Sequence, residues 1–463
     1  MIRLFRVFIP AGTVAVFLCE LVLIVSSFIL ACYLVLPFDP TIFLLYEGGL
    51  PRILVVVASI VIGLHFNDLY SRIRVHSRLE LLQQLCLVIG VCFLVQGFLA
   101  YLNPNFRVPI RVMVLGNTFA VIAIFGWRVF FSEFALKMVG GERVLLVGAS
   151  PLLVDIAQHI AKHPETGLVV AGYVDESHEQ GTELPGGKVL GVISSLMEIV
   201  AATRPSRIVV GMFERRNRMP MNDLLELRFA GYIIEEAANV YERLCGRVCL
   251  TEIRTSQLIY SGELGPRGTS LVFQNLMNTG VAAIGAVVSL PIMALTALAV
   301  KLTSPGPVLY RQVRVGLNGA PFTVYKFRSM RADAEAATGA VWASKDDPRV
   351  TPVGKIIRKI RFDELPQIYN VLRGEMSMVG PRPERPEFVK ALSEKIPYYR
   401  QRHCIRPGIT GWAQINYKYG DTLEDTVTKL EYDLYYIKNM TMSLDVYIIF
   451  HTVKAMLLSR GAQ

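Results

Sequence analysis

Four long apolar runs, near residues 11–36, 51–66, 84–102 and 108–131, constrain this chain more than any other feature. A helix needs about 17–25 apolar residues to cross the hydrocarbon core of a bilayer, and three of the runs reach that length. The second is the shortest. The first is too long for a cleaved signal peptide, lacks a small-residue cleavage site and is followed by further runs. The expectation is a four-helix transmembrane domain over residues 1–135. These runs explain a composition that is 52% hydrophobic and only 19% charged, where a soluble chain carries about 25% charged residues.

Bases in the short loops set the orientation. Arg3 and Arg6 precede the first run, and Arg72, Arg74 and Arg78 fill the second-to-third loop. The first-to-second loop carries Asp39, Glu47 and only Arg52. The positive-inside rule then puts both ends of the four-helix unit in the cytoplasm. Farther on, residues 270–463 hold 25 Lys and Arg against 16 Asp and Glu, an excess of nine within a net charge of +10. An anionic leaflet and a phosphate or pyrophosphate pocket both fit such a surface. No nucleic-acid motif accompanies the charge, so nucleic acid is not expected as a partner. Cys245 and Cys249 lack a second pair of ligands that would complete a zinc site.

Residues 136–255 change pattern to strands alternating with helices. Arg143–Gly148 (RVLLVG), Leu168–Val174 (LVVAGYV) and Arg207–Gly211 (RIVVG) read as strands, with helices near 151–163 and 194–203. Such alternation predicts a parallel sheet with flanking helices, a Rossmann-like cytoplasmic domain. Asp175 stands where a dinucleotide fold keeps its ribose-binding acid, but Gly148 is followed by Ala149, Ser150 and Pro151 instead of the glycine fingerprint. A structural or regulatory role fits this domain better than catalysis.

After a linker at 256–270, residues 271–302 form a fifth apolar run with no charge before Lys301. Pro291 lies inside it, and a mid-helix proline bends or breaks a helix. A kinked spanning helix and a re-entrant helix that leaves by its entry face both fit the residues. The chemistry that follows favours re-entry, because a spanning helix would carry the next carboxylates away from cytosolic nucleotide donors.

That chemistry centres on RKIRFDELPQIYNVLRGEMSMVGPRPE at 358–384. Asp363 and Glu364 are adjacent, Arg358 lies before them, and Pro381 and Pro383 clamp Arg382 behind. One carboxylate can attack phosphorus, a second can hold a divalent metal, and guanidinium groups neutralise phosphate oxygens. Asp363 also fits a simpler role as the cap of a helix with Pro366 in its first turn. Residues 310–316 (YRQVRVG) bring Arg311 and Arg314 near the membrane, and alternation in 321–330 (PFTVYKFRSM) predicts a strand exposing Lys326 and Arg328. Residues 332–350 read as a mobile loop. The RPGITGW turn at 406–412 either closes the site or simply packs Trp412, and 443–458 reads as a core or interfacial helix.

The motifs RQVRVG, KFRSM, RKIRFDELPQ, GEMSMVGPRPE and RPGITGWAQIN occur here in order, and residues 270–463 resemble the bacterial sugar transferase family, the monotopic phosphoglycosyl transferases of polyprenyl phosphate. With the four-helix unit and Rossmann-like domain, the chain is similar to the large members that initiate exopolysaccharide or O-antigen repeat units. The resemblance implies a mainly helical catalytic domain over 271–463, with a re-entrant helix broken at Pro291, on the cytoplasmic face of the bacterial inner membrane. It implies transfer of a sugar 1-phosphate from a UDP-sugar to undecaprenyl phosphate with release of UMP. Asp363 is then the nucleophile, Glu364 carries Mg2+, and Arg358 and Arg382 neutralise the phosphate. Arg311, Arg314, Lys326, Arg328, Pro381 and Pro383 surround the substrate. Two other classes fit parts of the chain: a nucleotide-sugar oxidoreductase or epimerase run by the middle domain, and a non-enzymatic scaffold or export component. The broken glycine motif opposes the first, and the second leaves the intact dyad without a purpose. The residues leave a homo-oligomer open.

Overall fold

The computed structural model describes residues 2–4, 7–9, 11–67, 69–70, 77–135, 141–211, 219–250, 268–331, 334, 347–417 and 422–457. The expectations for Arg6, Arg72 and Arg74, and for most of 256–270 and 332–350, lie outside these residues. The chain divides into two compact units, Met1–Arg3 with Phe8–Ala237, and Leu4–Val7 with Ala238–Gln463.

The first unit opens with helices α1 (Ala11–Val35), α2 (Gly49–Phe66), α3 (Arg78–Leu102) and α4 (Ile110–Phe130). Five helices in the described residues are long and apolar enough to cross a membrane, these four and one in the second unit. Ser77 starts α3 by accepting a hydrogen bond from the Glu80 N–H at 3.3 Å. Ile24 and Phe28, Ile53 and Ile60, Leu85, and Val112 and Ile124 contribute one fully buried cluster from all four helices. A Cβ at Gly116 would come within 2.5 Å of the Phe28 ring, so glycine there permits the close approach of α4 to α1. Arg128 in α4 donates to Glu20 in α1 through Nε at 2.6 Å and Nη2 at 3.1 Å, and its Nη1 reaches the Leu69 carbonyl at 2.6 Å. Both side chains are buried, and a buried charge persists only with such a partner.

The same unit contains a six-stranded sheet of β1 (Glu142–Val147), β2 (Leu168–Val174), β3 (Glu183–Leu184), β4 (Gly187–Gly191), β5 (Arg207–Val210) and β6 (Ile233–Glu236). Its order is β3-β4-β2-β1-β5-β6, parallel except for the short β3–β4 pair. Helices α5 (Pro151–Lys162), α6 (Leu196–Thr203) and α7 (Met221–Phe229) intervene. Val144 to Val147 are completely buried, as a central parallel strand requires. The expected Rossmann-like topology is therefore present. Asp175 turns to its own loop, accepting from the Ser177 N–H at 3.1 Å and pairing with His178 at 2.7 Å.

The second unit begins earlier than the strand–helix pattern indicates. Helix α8 (Ala237–Cys245) joins it because Lys438 meets Glu242 at 2.8 Å and Trp412 Nε1 donates to the Gly246 carbonyl at 2.7 Å. Helix α9 (Gly268–Thr303) follows as one 36-residue element with Pro291 inside it. The break expected at Pro291 is thus not seen in the hydrogen-bonded backbone. Proline removes a single N–H donor while keeping a helical φ, and apolar sequence continues on both sides. One face of α9, including Ile284, Val287, Leu295 and Leu298, is exposed and apolar. The other face packs on its own unit at three levels. Gln274 bonds to Tyr436 at 3.2 Å and to Asp445, Ala282 clusters with Val324, Val371 and Met376, and Val300 clusters with Phe327 and Ile357.

Candidate active site

The antiparallel hairpin of β7 (Leu309–Val315) and β8 (Pro321–Phe327) forms one wall, with Lys326 opposite Tyr310. Helices α10 (Pro352–Lys359) and α11 (Gln367–Leu372) form another. Thr351 caps α10 by accepting from the Gly354 N–H at 2.9 Å, and a Cβ at Gly354 would lie 1.9 Å from the Ser329 carbonyl. Only glycine lets the start of α10 touch the end of the hairpin. Asn370, fully buried, links the two walls. Its amide donates to the Thr323 carbonyl and to Glu375, each at 2.7 Å, and its oxygen accepts from the Tyr325 N–H at 3.3 Å.

Asp363 and Glu364 occupy a short 3-10 turn, Phe362–Glu364, between α10 and α11. Arg361 enters that turn at φ 57°, a left-handed conformation that reverses the chain. Pro366 stands at the N-cap of α11 and no side-chain cap bond forms there, so Asp363 is not a helix cap. Both carboxylates are buried but differ in their partners. Glu364 Oε1 receives Lys326 Nζ at 2.9 Å and Arg382 Nη2 at 2.8 Å, and Arg361 lies 3.8 Å from Oε2. Among the described residues no hydrogen bond or ion pair engages the Asp363 carboxylate, which feels Lys326, Arg358 and Arg382 only through their charge.

The electrostatics separate the pair. Burial pushes the Asp363 carboxyl up to about 6, the neighbouring Glu364 charge adds to the rise, and Lys326, Arg358 and Arg382 oppose it. Burial would also raise Glu364, but Arg382, Lys326 and Arg361 overcome that and hold it well below the ordinary carboxylate range. A more basic carboxylate is a better nucleophile, and Asp363 is still ionised above pH 6. Lys326, Arg358, Arg361 and Arg382 outnumber the two carboxylates, so the site carries the net positive charge that a diphosphate would neutralise.

Among the described residues, the other expected residues make no hydrogen bond or ion pair with the dyad and take different roles. Pro381 and Pro383 are buried on either side of half-buried Arg382. Arg311 stacks over the Tyr325 ring at 5.7 Å and is exposed. Arg314 is directed to Gln312 at 2.9 Å and to the Pro383 carbonyl at 3.1 Å. The alternation that was expected to expose Arg328 ends at Phe327. Arg328 is buried, and its guanidinium bonds Ser304 and Pro305 carbonyls at 2.7 and 2.8 Å, which fixes the end of α9 to the hairpin. Trp412 packs instead of closing the site, stacked on Tyr435 at 5.6 Å. Arg361 and Asn370 belong to the centre and were not singled out from sequence. The run of bases ahead of the dyad was the available signal for Arg361; nothing local marks Asn370.

Among the described residues no group of three or more His, Cys, Asp or Glu side chains forms a preformed metal site. The donor chemistry nevertheless fits Mg2+, which uses one or two carboxylates and completes its shell with water and substrate phosphates. Glu364 Oε2, which among the described residues pairs with Arg361 alone, at 3.8 Å, is the oxygen open to such a role.

The profile of a family described as Bacterial sugar transferase matches residues 269–459, which contain this site. A UDP-N-acetylgalactosamine-undecaprenyl-phosphate N-acetylgalactosaminephosphotransferase of Aeromonas hydrophila is 45% identical over 48% of this chain and 52% of its own length. The match thus spans about half of that relative. UDP-glucose:undecaprenyl-phosphate glucose-1-phosphate transferases of Klebsiella pneumoniae and Xanthomonas campestris pv. campestris are 36% and 32% identical. They align over 67% and 70% of this chain and over 67% and 68% of their own lengths.

Proposed function

This chain belongs to the bacterial sugar transferase family, and from that membership and the geometry of the dyad we propose that it transfers a sugar 1-phosphate from a UDP-sugar to undecaprenyl phosphate. The observation that carries the reading is the unequal treatment of two adjacent carboxylates. Glu364 is held by three cations while Asp363 is buried, basic and unengaged among the described residues. An Asp363 oxygen attacks the β-phosphorus of the donor. As that O–P bond forms, the bond to the bridging oxygen breaks and UMP leaves with the bonding pair. An oxygen of undecaprenyl phosphate then attacks the same phosphorus, the aspartyl O–P bond breaks, and the carboxylate returns unchanged beside undecaprenyl-diphospho-sugar. Arg358, Arg382 and Lys326 stand where they offset the charge on the phosphoryl oxygens. Mg2+ arriving with the diphosphate would be held by Glu364 and would neutralise phosphate charge.

The cytoplasmic face of the bacterial inner membrane is the place for this reaction, with α9 held to one side of the bilayer instead of crossing it. The contacts of α9 support this. Gln274 and Val300 both pack on the same unit, although about 39 Å of helix separates them at 1.5 Å per residue. A helix crossing about 30 Å of hydrocarbon would pull its partners, and the charged dyad with them, into the bilayer core.

The direct test is to incubate detergent-extracted protein with undecaprenyl phosphate and a panel of UDP-sugars and to measure UMP. Release of UMP with at least one donor, dependent on Asp363, is expected. Folded protein that releases UMP from none of them contradicts the reading.

A further inference from the structure

Three successive carbonyls around Arg382 are each held by a donor from a different segment. The Gly408 N–H donates to the Pro381 carbonyl at 3.0 Å, Arg402 Nη2 to the Arg382 carbonyl at 3.1 Å, and Arg314 Nη1 to the Pro383 carbonyl at 3.1 Å. Two of those donors are arginine side chains that are themselves fixed. Arg402 is 6% exposed, lies 2.7 Å from Asp433 and donates to the Tyr399 hydroxyl at 2.8 Å. Arg314 is gripped by Gln312 at 2.9 Å and lies 3.4 Å from Glu384. Neither touches Asp363 or Glu364 among the described contacts.

A buried ion pair contributes little net stability, because desolvation offsets most of its attraction. Placing one buried and one half-buried guanidinium on the backbone of one short loop is therefore poorly explained as stabilisation alone. It is well explained by geometry. Two prolines already limit the backbone on both sides of Arg382. The three anchors remove what freedom remains and aim the guanidinium at Glu364, where Nη2 sits 2.8 Å from Oε1. We propose that Arg402, with its partner Asp433, and Arg314 are positioning residues that act through Arg382. They hold the Pro381–Pro383 backbone so that one guanidinium stays paired with Glu364 and meets the phosphate undergoing transfer.

This inference rests on the transferase reading, so its test separates the two. Arg402→Lys and Arg314→Lys keep the charge opposite Asp433 and Glu384 but lose the fork that reaches a second acceptor. Each is expected to lower kcat by about tenfold to a hundredfold, as a small misplacement of a charged group does, and to leave KM for the UDP-sugar within about twofold. Circular dichroism should remain that of the wild type, the melting temperature should fall by no more than one lost hydrogen bond costs, and kcat is read well below the transition. The decisive measurement is a double-mutant cycle with Arg382→Ala. If Arg402 and Arg314 work through Arg382, adding either lysine substitution to that background costs less than about twofold more. Losses that multiply in the double variants, or kcat values unchanged in the single ones, overturn the positioning role while wild-type turnover stands. Absence of UMP release by the wild type overturns the transferase reading, and the inference with it.

Discussion

At the scale of single residues, the site depends on making two neighbouring carboxylates unlike each other. The folded Asp363 carboxyl, raised to about 6, lies above its ordinary value of 3.8, so between these pH values the folded protein binds a proton that the unfolded chain does not. The resulting stabilisation is present at low pH and is lost as pH rises through 6. At pH 7.5 the ionised Asp363 therefore opposes folding. Asp363→Asn, which removes that charge and nearly preserves shape, should abolish UMP release and leave the melting temperature equal to or above that of the wild type. A lower melting temperature would show that the carboxylate is a structural partner after all. In the wild type, kcat/KM should fall on the acid side with an apparent pKa near 6. A flat profile down to pH 4.5 would contradict the raised value. The dyad, Arg358 and Arg382 were legible in the chain because their spacing is local. The division of roles was legible only as a need for one, since Lys326 reaches Glu364 from 38 residues away.

At the scale of elements, the hairpin and the dyad turn are joined by side chains that local pattern does not mark. Alternation located β8 correctly but extended the strand past its end at Phe327, placing Arg328 at the surface. Its actual partners, Ser304 and Pro305, belong to the helix end, and sequence gives no measure of that distance. Asn370 is the comparable case between α11 and β8. Asn370→Ala would leave the Tyr325 N–H and the Thr323 carbonyl without their partner, at a cost of about 1–3 kcal/mol for each buried group left unsatisfied. The expected outcome is a clear drop in melting temperature, together with reduced turnover as Lys326 shifts from Glu364. Wild-type stability in that variant would remove Asn370 as the link. Pro291 carries the opposite lesson. Its chemistry predicted a break, yet one missing donor in an otherwise apolar 36-residue helix leaves the helix continuous.

At the scale of the whole molecule, hydrophobic run length located the apolar helices, and strand–helix alternation located the parallel sheet. Both are periodic signals that a single chain displays directly. Pairings across helices are not. Glu20 and Arg128 lie 108 residues apart in the first and fourth apolar runs, yet they form a buried bidentate pair. Glu20→Gln would leave Arg128 without its counter-charge and should destabilise the four-helix unit by about 3–5 kcal/mol, the cost of an uncompensated buried charge. Thermal unfolding in detergent reads this directly, and an unchanged transition would contradict the pairing. In the second unit, the central proposal is that Asp363 forms a covalent bond to phosphorus. It is tested by mixing the protein with a UDP-sugar that it turns over, withholding undecaprenyl phosphate, quenching rapidly and analysing peptides by mass spectrometry. The account predicts one sugar-phosphate adduct on the peptide containing Asp363, formed with an equivalent of UMP and discharged when undecaprenyl phosphate is added. Full turnover on adding the lipid, with no adduct at any quench time, would contradict it.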